Sequence, residues 1–133
     1  MGGLALANAG LGAVHGFAAA IGGAFDAPHG GVCAALLPHV TAVNLRALDE
    51  RSPHDEAITR YGDVRRILAG GGDLTAWLVA LCADLGIPRL RHYGIGEADI
   101  PGLCANAAKA SSMKANPIAL TEAELREILE RAI

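Results

Sequence analysis

His15 and His29 lie fourteen residues apart in a stretch, 8–40, that reads NAGLGAVHGFAAAIGGAFDAPHGGVCAALLPHV and is built almost entirely of small and apolar residues. Neutral imidazole is the commonest protein metal ligand. Two imidazoles on consecutive helices can share one divalent ion, and the flanking glycines leave room for a metal or a substrate beside them. The residues alone leave a second reading open, in which each ring is a hydrogen-bonded core or interface residue. As a metal site the pair is incomplete, since a site needs more donors than two.

The remaining candidates add little chemistry. His39 is ten residues beyond His29, roughly 15 Å along an ideal helix, too far for both rings to reach one ion. His54 stands beside Asp55 and Glu56 and reads as solvated, and His92 sits in a surface loop. There is no HExxH motif. Asp26, the nearest acid to either histidine, is expected to cap a helix. The Gly70-Gly71-Gly72-Asp73 run lacks the Lys-Ser/Thr tail of a phosphate loop and reads as a helix stop followed by a helix start. The polar segment 109–117 reads as a solvated connection.

The elements that must hold the histidines follow from glycine and proline punctuation, because no run shows sustained strand-like alternation. A first helix is expected over Leu4–Gly22, with Gly12 and Gly16 one turn apart so that a neighbouring backbone can approach. A second should start near Pro28, with Asp26 as N-cap, and run toward Leu48 with a bend at Pro38. Ser52-Pro53 should open a third through Leu68, on which Ile58, Tyr61, Val64 and Leu68 recur at helical spacing. Asp73 should cap a fourth through Leu85, residues 89–96 should form a loop, and a fifth helix should cover 97–110. Thr121-Glu122-Ala123-Glu124 fits a capping box for a terminal helix with Leu125, Ile128, Leu129 and Ala132 as its apolar face. The fold class is all-α, a bundle of about five to seven helices in a single domain, 1–133.

Composition narrows the function classes. The 133 residues carry 11 Lys and Arg against 14 Asp and Glu, a net charge of −3, with the basic residues spread along the chain. Nucleic acid is excluded as a partner on that distribution. No apolar run is read as a membrane span, and the N-terminal 25 residues lack the basic region of a signal peptide. Cys33, Cys82 and Cys104 form no CxxC pair and read as reduced, buried thiols, which fits a cytoplasmic setting.

The run from Gly10 to Val40, with its G-x-x-H, P-H-G and L-P-H elements, closely resembles the C-terminal helical domain of the iron-containing (group III) alcohol dehydrogenases, which include the maleylacetate reductases. The tail is similar too, through Leu85-Gly86-Ile87-Pro88, a helix, and Asn116-Pro117 before a capped terminal helix. The resemblance implies that His15 and His29 bind a catalytic divalent metal, Fe²⁺ typically and Zn²⁺ in some members. That metal polarises a substrate oxygen while NAD(P) exchanges hydride with the carbon. Two departures matter. The family's other two ligands, an Asp and a His, and its nucleotide-binding domain lie upstream of the matched region. Ala19 also stands where many members carry a histidine one turn after His15.

The expectation is therefore a partial domain of a metal-dependent, NAD(P)-linked alcohol dehydrogenase. It would hold half a metal site (His15 and His29), no catalytic residue and no cofactor site, and be inactive alone, either as a fragment or as a truncated reading frame. The alternative is a non-catalytic helical module that forms homo-oligomers through exposed apolar helices, the Ala/Gly-rich first helix foremost, in place of the missing nucleotide-binding domain.

Overall fold

Backbone conformation at Gly12 fixes where the first helix starts. The computed structural model describes residues 11–133. In it Gly12 is extended, with φ −116° and ψ −158°, and α1 runs Ala13–Gly22. The helix expected over Leu4–Gly22 therefore does not run through Gly12, because an extended residue cannot carry the helical hydrogen-bond ladder; the part of that expectation before residue 11 lies outside the described residues. Ala13, Phe17 and Ile21 repeat at four-residue spacing and are fully buried, the pattern of a helix facing a core.

The second helix, α2, runs His29–Arg51 and contains Pro38. Pro28 is its N-cap and no side chain caps it, so the expected Asp26 cap is not made and Asp26 is exposed. Pro38 has no N–H to give the carbonyl four residues earlier. That carbonyl belongs to Ala34, and the Cys82 thiol lies 3.5 Å from it as the donor. A proline inside the longest helix is thus accommodated by a side chain from another element. By length and composition α2 also reaches the range of a membrane span, which the sequence reading did not allow. More than half of its apolar window (56%) is buried inside the bundle.

Asp55, not Ser52, caps α3 (Glu56–Ala69), accepting from the Ala57 N–H at 2.8 Å. Ser52 instead ends α2, its N–H bonded to the Leu48 carbonyl. Gly70, at φ +59°, terminates α3 in the left-handed conformation that glycine adopts without steric cost. Asp73 then caps α4 (Leu74–Asp84) through the Ala76 N–H, as the sequence implies. The expected loop 89–96 contains a 3-10 turn, Leu90–Tyr93, and is anchored in the core by Leu90 and Ile95, both fully buried. A further 3-10 turn, Glu97–Asp99, leads into α5 (Ile100–Lys109), so the expected fifth helix is tight-wound at its start. The terminal helix α6 (Glu122–Ala132) carries the expected Thr121/Glu124 capping box and buries Leu125, Ile128, Leu129 and Ala132.

Six α-helices and three 3-10 turns, with no strand, make up the described residues. The all-α expectation holds. α2 is the axis of the bundle, packed against α1, α3, α4 and α6, while α5 lies on α1 and α6. Arg46 of α2 grips Glu127 of α6 through two parallel hydrogen bonds, at 2.9 and 2.5 Å.

The segment 111–120 is not merely a solvated connection. Met113 presses so close to Gly16 that an added Cβ would stand 2.8 Å from its methyl carbon. Asn116 does more. Its Oδ1 accepts from the Ala13 N–H at 3.1 Å and from Asn44 Nδ2 at 3.2 Å, and its Nδ2 donates to Asn44 Oδ1 and to the Ile118 carbonyl, both at 2.8 Å. Asn44 spends its other N–H on the Tyr61 hydroxyl at 3.1 Å. Two amides, one of them 2% exposed, thereby satisfy each other and the first free N–H of α1. Replacing Asn116 by Ala leaves Asn44 and the Ala13 N–H without these partners, at about 1–3 kcal/mol for each unsatisfied buried group. Urea unfolding of Asn116→Ala should therefore show a loss of roughly 2–3 kcal/mol, larger than the ~1 kcal/mol expected for removing the exposed cap in Thr121→Ala.

Candidate metal centre

Two helix starts bring the candidate ligands together. His15 is the third residue of α1, and the Ala13 N–H bond to Asn116 sets the end of the helix that carries it. His29 is the first residue of α2. Two residues on, Gly31 meets Tyr93: a Cβ there would lie 2.6 Å from the phenol oxygen. The absence of a side chain at 31 lets the Leu90–Tyr93 turn rest directly on the first turn of α2.

The two rings stand with centroids 5.4 Å apart and planes tilted by 52°. His15 is half-buried and His29 exposed. A third donor joins them. Cys33, four residues after His29 and so on the same helical face, has its Sγ 3.5 Å from His29 Nε2. One donor atom from each of His15, His29 and Cys33 can be chosen so that all lie within 4.8 Å of one another. Sequence reasoning counted Cys33 among buried thiols; it is only half-buried, and the H-x-x-x-C spacing on a helix was the signal that could have found it. Partial burial nonetheless pushes the free thiol's pKa above its ordinary value. Two imidazoles and a sulfur suit a borderline divalent cation such as Zn²⁺ or Fe²⁺, so the residues present fit the metal the sequence implies.

His15 and Cys33 stand on the wall of a cavity of about 530 Å³, within the range of small-molecule sites. One wall is the α2 face that presents Cys33, Leu37, Val40 and Asn44 in succession, and Leu68 and Leu78 close it from α3 and α4. Its far end holds Tyr61 and the Asn44–Asn116 pair. Burial raises the Tyr61 pKa, against the smaller opposing effect of the Asn44 hydrogen bond. The donor cluster and the amide pair thus flank one apolar space.

The other histidines lie elsewhere. His54 and His92 are exposed, the latter edge-on to Tyr93. Ala19 is exposed and takes no part in the cluster. His39 lines a separate cavity of about 360 Å³ with Arg89 and Arg131.

The family model described as Fe-containing alcohol dehydrogenase family, C-terminal, matches residues 1–133. The chain belongs to the Fe-containing alcohol dehydrogenase family. Among relatives in that family, the 1,3-propanediol dehydrogenase of Citrobacter freundii is 36% identical, over 98% of this chain and 34% of its own length. The lactaldehyde reductase of Escherichia coli (strain K12) is 34% identical, over 96% of this chain and 33% of its own length. The crystal structure of a 1,3-propanediol oxidoreductase superposes with a TM-score of 0.81 at 33% identity, over 98% of this chain and 35% of that one. The chain thus spans about a third of the length of the Fe-containing alcohol dehydrogenases it matches, and its helices are those of their C-terminal part.

His39 offers a test of the electrostatics around α2. Desolvation lowers its pKa below the ordinary 6.5, and the positive charges of Arg131 and Arg89 lower it further. The folded state therefore favours the neutral ring. Its contribution to stability is present above pH 6.5 and is lost as pH falls through the lower folded value, because the unfolded chain takes up the proton first. Unfolding free energy measured from pH 8 down to about pH 5 should decline in the parent, and the His39→Gln variant should show a shallower decline over the same window.

Proposed function

We propose that this chain is the metal-holding C-terminal portion of a metal-dependent, NAD(P)-linked alcohol dehydrogenase, in which His15 and His29 supply two imidazole ligands to Fe²⁺ or Zn²⁺. The observation that carries the reading is the meeting of the two rings, 5.4 Å apart, at the starts of two separately positioned helices. Membership of the family supports it independently. When bound, the metal supplies a Lewis acid that polarises the oxygen of an alcohol or carbonyl substrate. His15, on the wall of the apolar cavity, and His29 beside it would hold the metal, with Leu37, Leu68 and Leu78 lining the same cavity. A low-dielectric surround strengthens the pull of a cation on a nearby oxygen. The remaining ligands, the nucleotide-binding part and hydride transfer come from the rest of such an enzyme, so the chain alone is not catalytic.

The alcohol's hydrocarbon part has a natural place in this reading, against the apolar walls lined by α2, α3 and α4. The 1,3-propanediol and lactaldehyde in the names of relatives point to small oxygenated substrates.

A second reading, self-association, rests on one observation. The described part of the first helix is packed inward, but α3 and α4 and the turn after them leave large apolar side chains exposed, with Ile67 at 75% and Leu85 at 67%. Such surface favours association with a second copy or with another domain. Sedimentation over a range of concentrations should show a reversible dimer that Ile67→Glu weakens; a monomer throughout removes this reading.

Calorimetric titration with Zn²⁺, and with Fe²⁺ without oxygen, tests the first reading. One equivalent should bind the parent chain, and His15→Ala and His29→Ala should each weaken it by more than the roughly tenfold typical of a lost outer-shell partner. Equal binding by the parent and both variants rejects the assignment.

A further inference from the structure

We propose that Cys33 is a third ligand, so that the chain holds by itself a His₂Cys site for a borderline-soft divalent cation of the zinc class. The proposal rests on the reading of His15 and His29 as ligands and goes beyond it in naming the third donor and the cation it selects.

Distance is the first argument. Tetrahedral zinc holds sulfur at about 2.3 Å and imidazole nitrogen at about 2.0–2.1 Å, which places an S and an N ligand about 3.6 Å from each other. The observed separation of Cys33 Sγ from His29 Nε2 is 3.5 Å. That spacing exists with both side chains on one helix, where residues four apart share a face. His15 brings its donor from α1 to within 4.8 Å of both. Drawing a pair at that limit to the spacing of a coordinated pair needs about 1.2–1.5 Å of side-chain movement.

Rigidity is the second argument. Phe17 and Ile21 on α1 and Val32 and Leu36 on α2 are fully buried, and they stand among the ligand-bearing residues. Gly31, between His29 and Cys33, is pressed by Tyr93. The backbones that carry the three donors are therefore already set, and binding asks for rotamer adjustment alone. Among the described residues no other group of three His, Cys, Asp or Glu converges in this way.

Donor chemistry is the third. A thiolate is a soft ligand that favours zinc over the harder Mg²⁺ and Ca²⁺. Two histidines and one thiolate supply three positions of a tetrahedral site in this chain, the fourth going to solvent or to a ligand from the rest of the enzyme. On coordination the Cys33 S–H bond breaks, the sulfur–metal bond forms, and the proton passes to solvent. The half-buried thiol, protonated when free, becomes the anion that partly neutralises the cation.

Cobalt substitution reads the thiolate directly. Co²⁺ added to the purified chain should produce visible ligand-field bands of a tetrahedral site together with a near-ultraviolet sulfur-to-cobalt charge-transfer band. In Cys33→Ala and in the near-isosteric Cys33→Ser the charge-transfer band should vanish, the ligand-field bands should weaken, and Co²⁺ affinity should fall by at least about tenfold. Circular dichroism verifies that both variants keep the helical content of the parent. Ligand-field bands without charge transfer in the parent would leave the histidine pair standing and overturn the role of Cys33. A charge-transfer band that survives in both variants overturns it too, by assigning the sulfur to Cys82 or Cys104. No Co²⁺ binding at all overturns this proposal and the metal reading beneath it.

Discussion

The placement of α1 beside α2 at the candidate metal centre depends on one buried polar contact, the reciprocal amide pair of Asn44 and Asn116. A hydrogen-bonded buried amide contributes modestly when satisfied and costs heavily when orphaned. Here each amide satisfies the other, and the surplus capacity is spent on the Ala13 N–H, the Ile118 carbonyl and the Tyr61 hydroxyl. The pair therefore joins three parts of the chain: the middle of α2, the segment before α6 and the first turn of α1. His15 lies two residues beyond the bonded Ala13. The α1 start is held by a side chain 103 residues away, which is why its position relative to α2 does not rest on local preferences.

α2 is the second organising constraint. One face carries His29 and Cys33, then the cavity wall, then Asn44, so a single helix sets the distance between the donor cluster and the polar pair at the other end. Its length requires passage through Pro38, and the fold tolerates that because the Cys82 thiol meets the carbonyl the proline leaves free. The apolar cavity beside the cluster is continuous with exposed side chains of α3, such as Val64 and Leu68.

Much of this was legible in the sequence because it is local. Asp73, Gly70 and the Thr121/Glu124 box act on neighbouring N–H and C=O groups, and each helix end they set was read to within about one residue. That His15 and His29 stand together was also legible, from residue type in apolar surroundings and from the resemblance of the surrounding run to the family. Errors arose where two local solutions compete or where the partner is distant. Ser52 and Asp55 both qualify as caps, and the choice fell to Asp55 because α2 extends to Arg51 and uses Ser52 for its own end. Asn116 looked like a loop polar residue, since nothing near it announces a bond to Ala13 or Asn44. The closeness of Cys33 to His29 was readable from their four-residue spacing on one helix, but the residue reads from sequence only as a buried thiol.

The proposed function requires His15 and His29 to bind one and the same metal ion. Anomalous diffraction at the zinc edge, from crystals of the chain grown with Zn²⁺, tests this most directly. The account predicts a single strong peak about 2.0–2.1 Å from a ring nitrogen of each histidine. A peak bound to only one of the two rings, or zinc held elsewhere with both rings free, would contradict it.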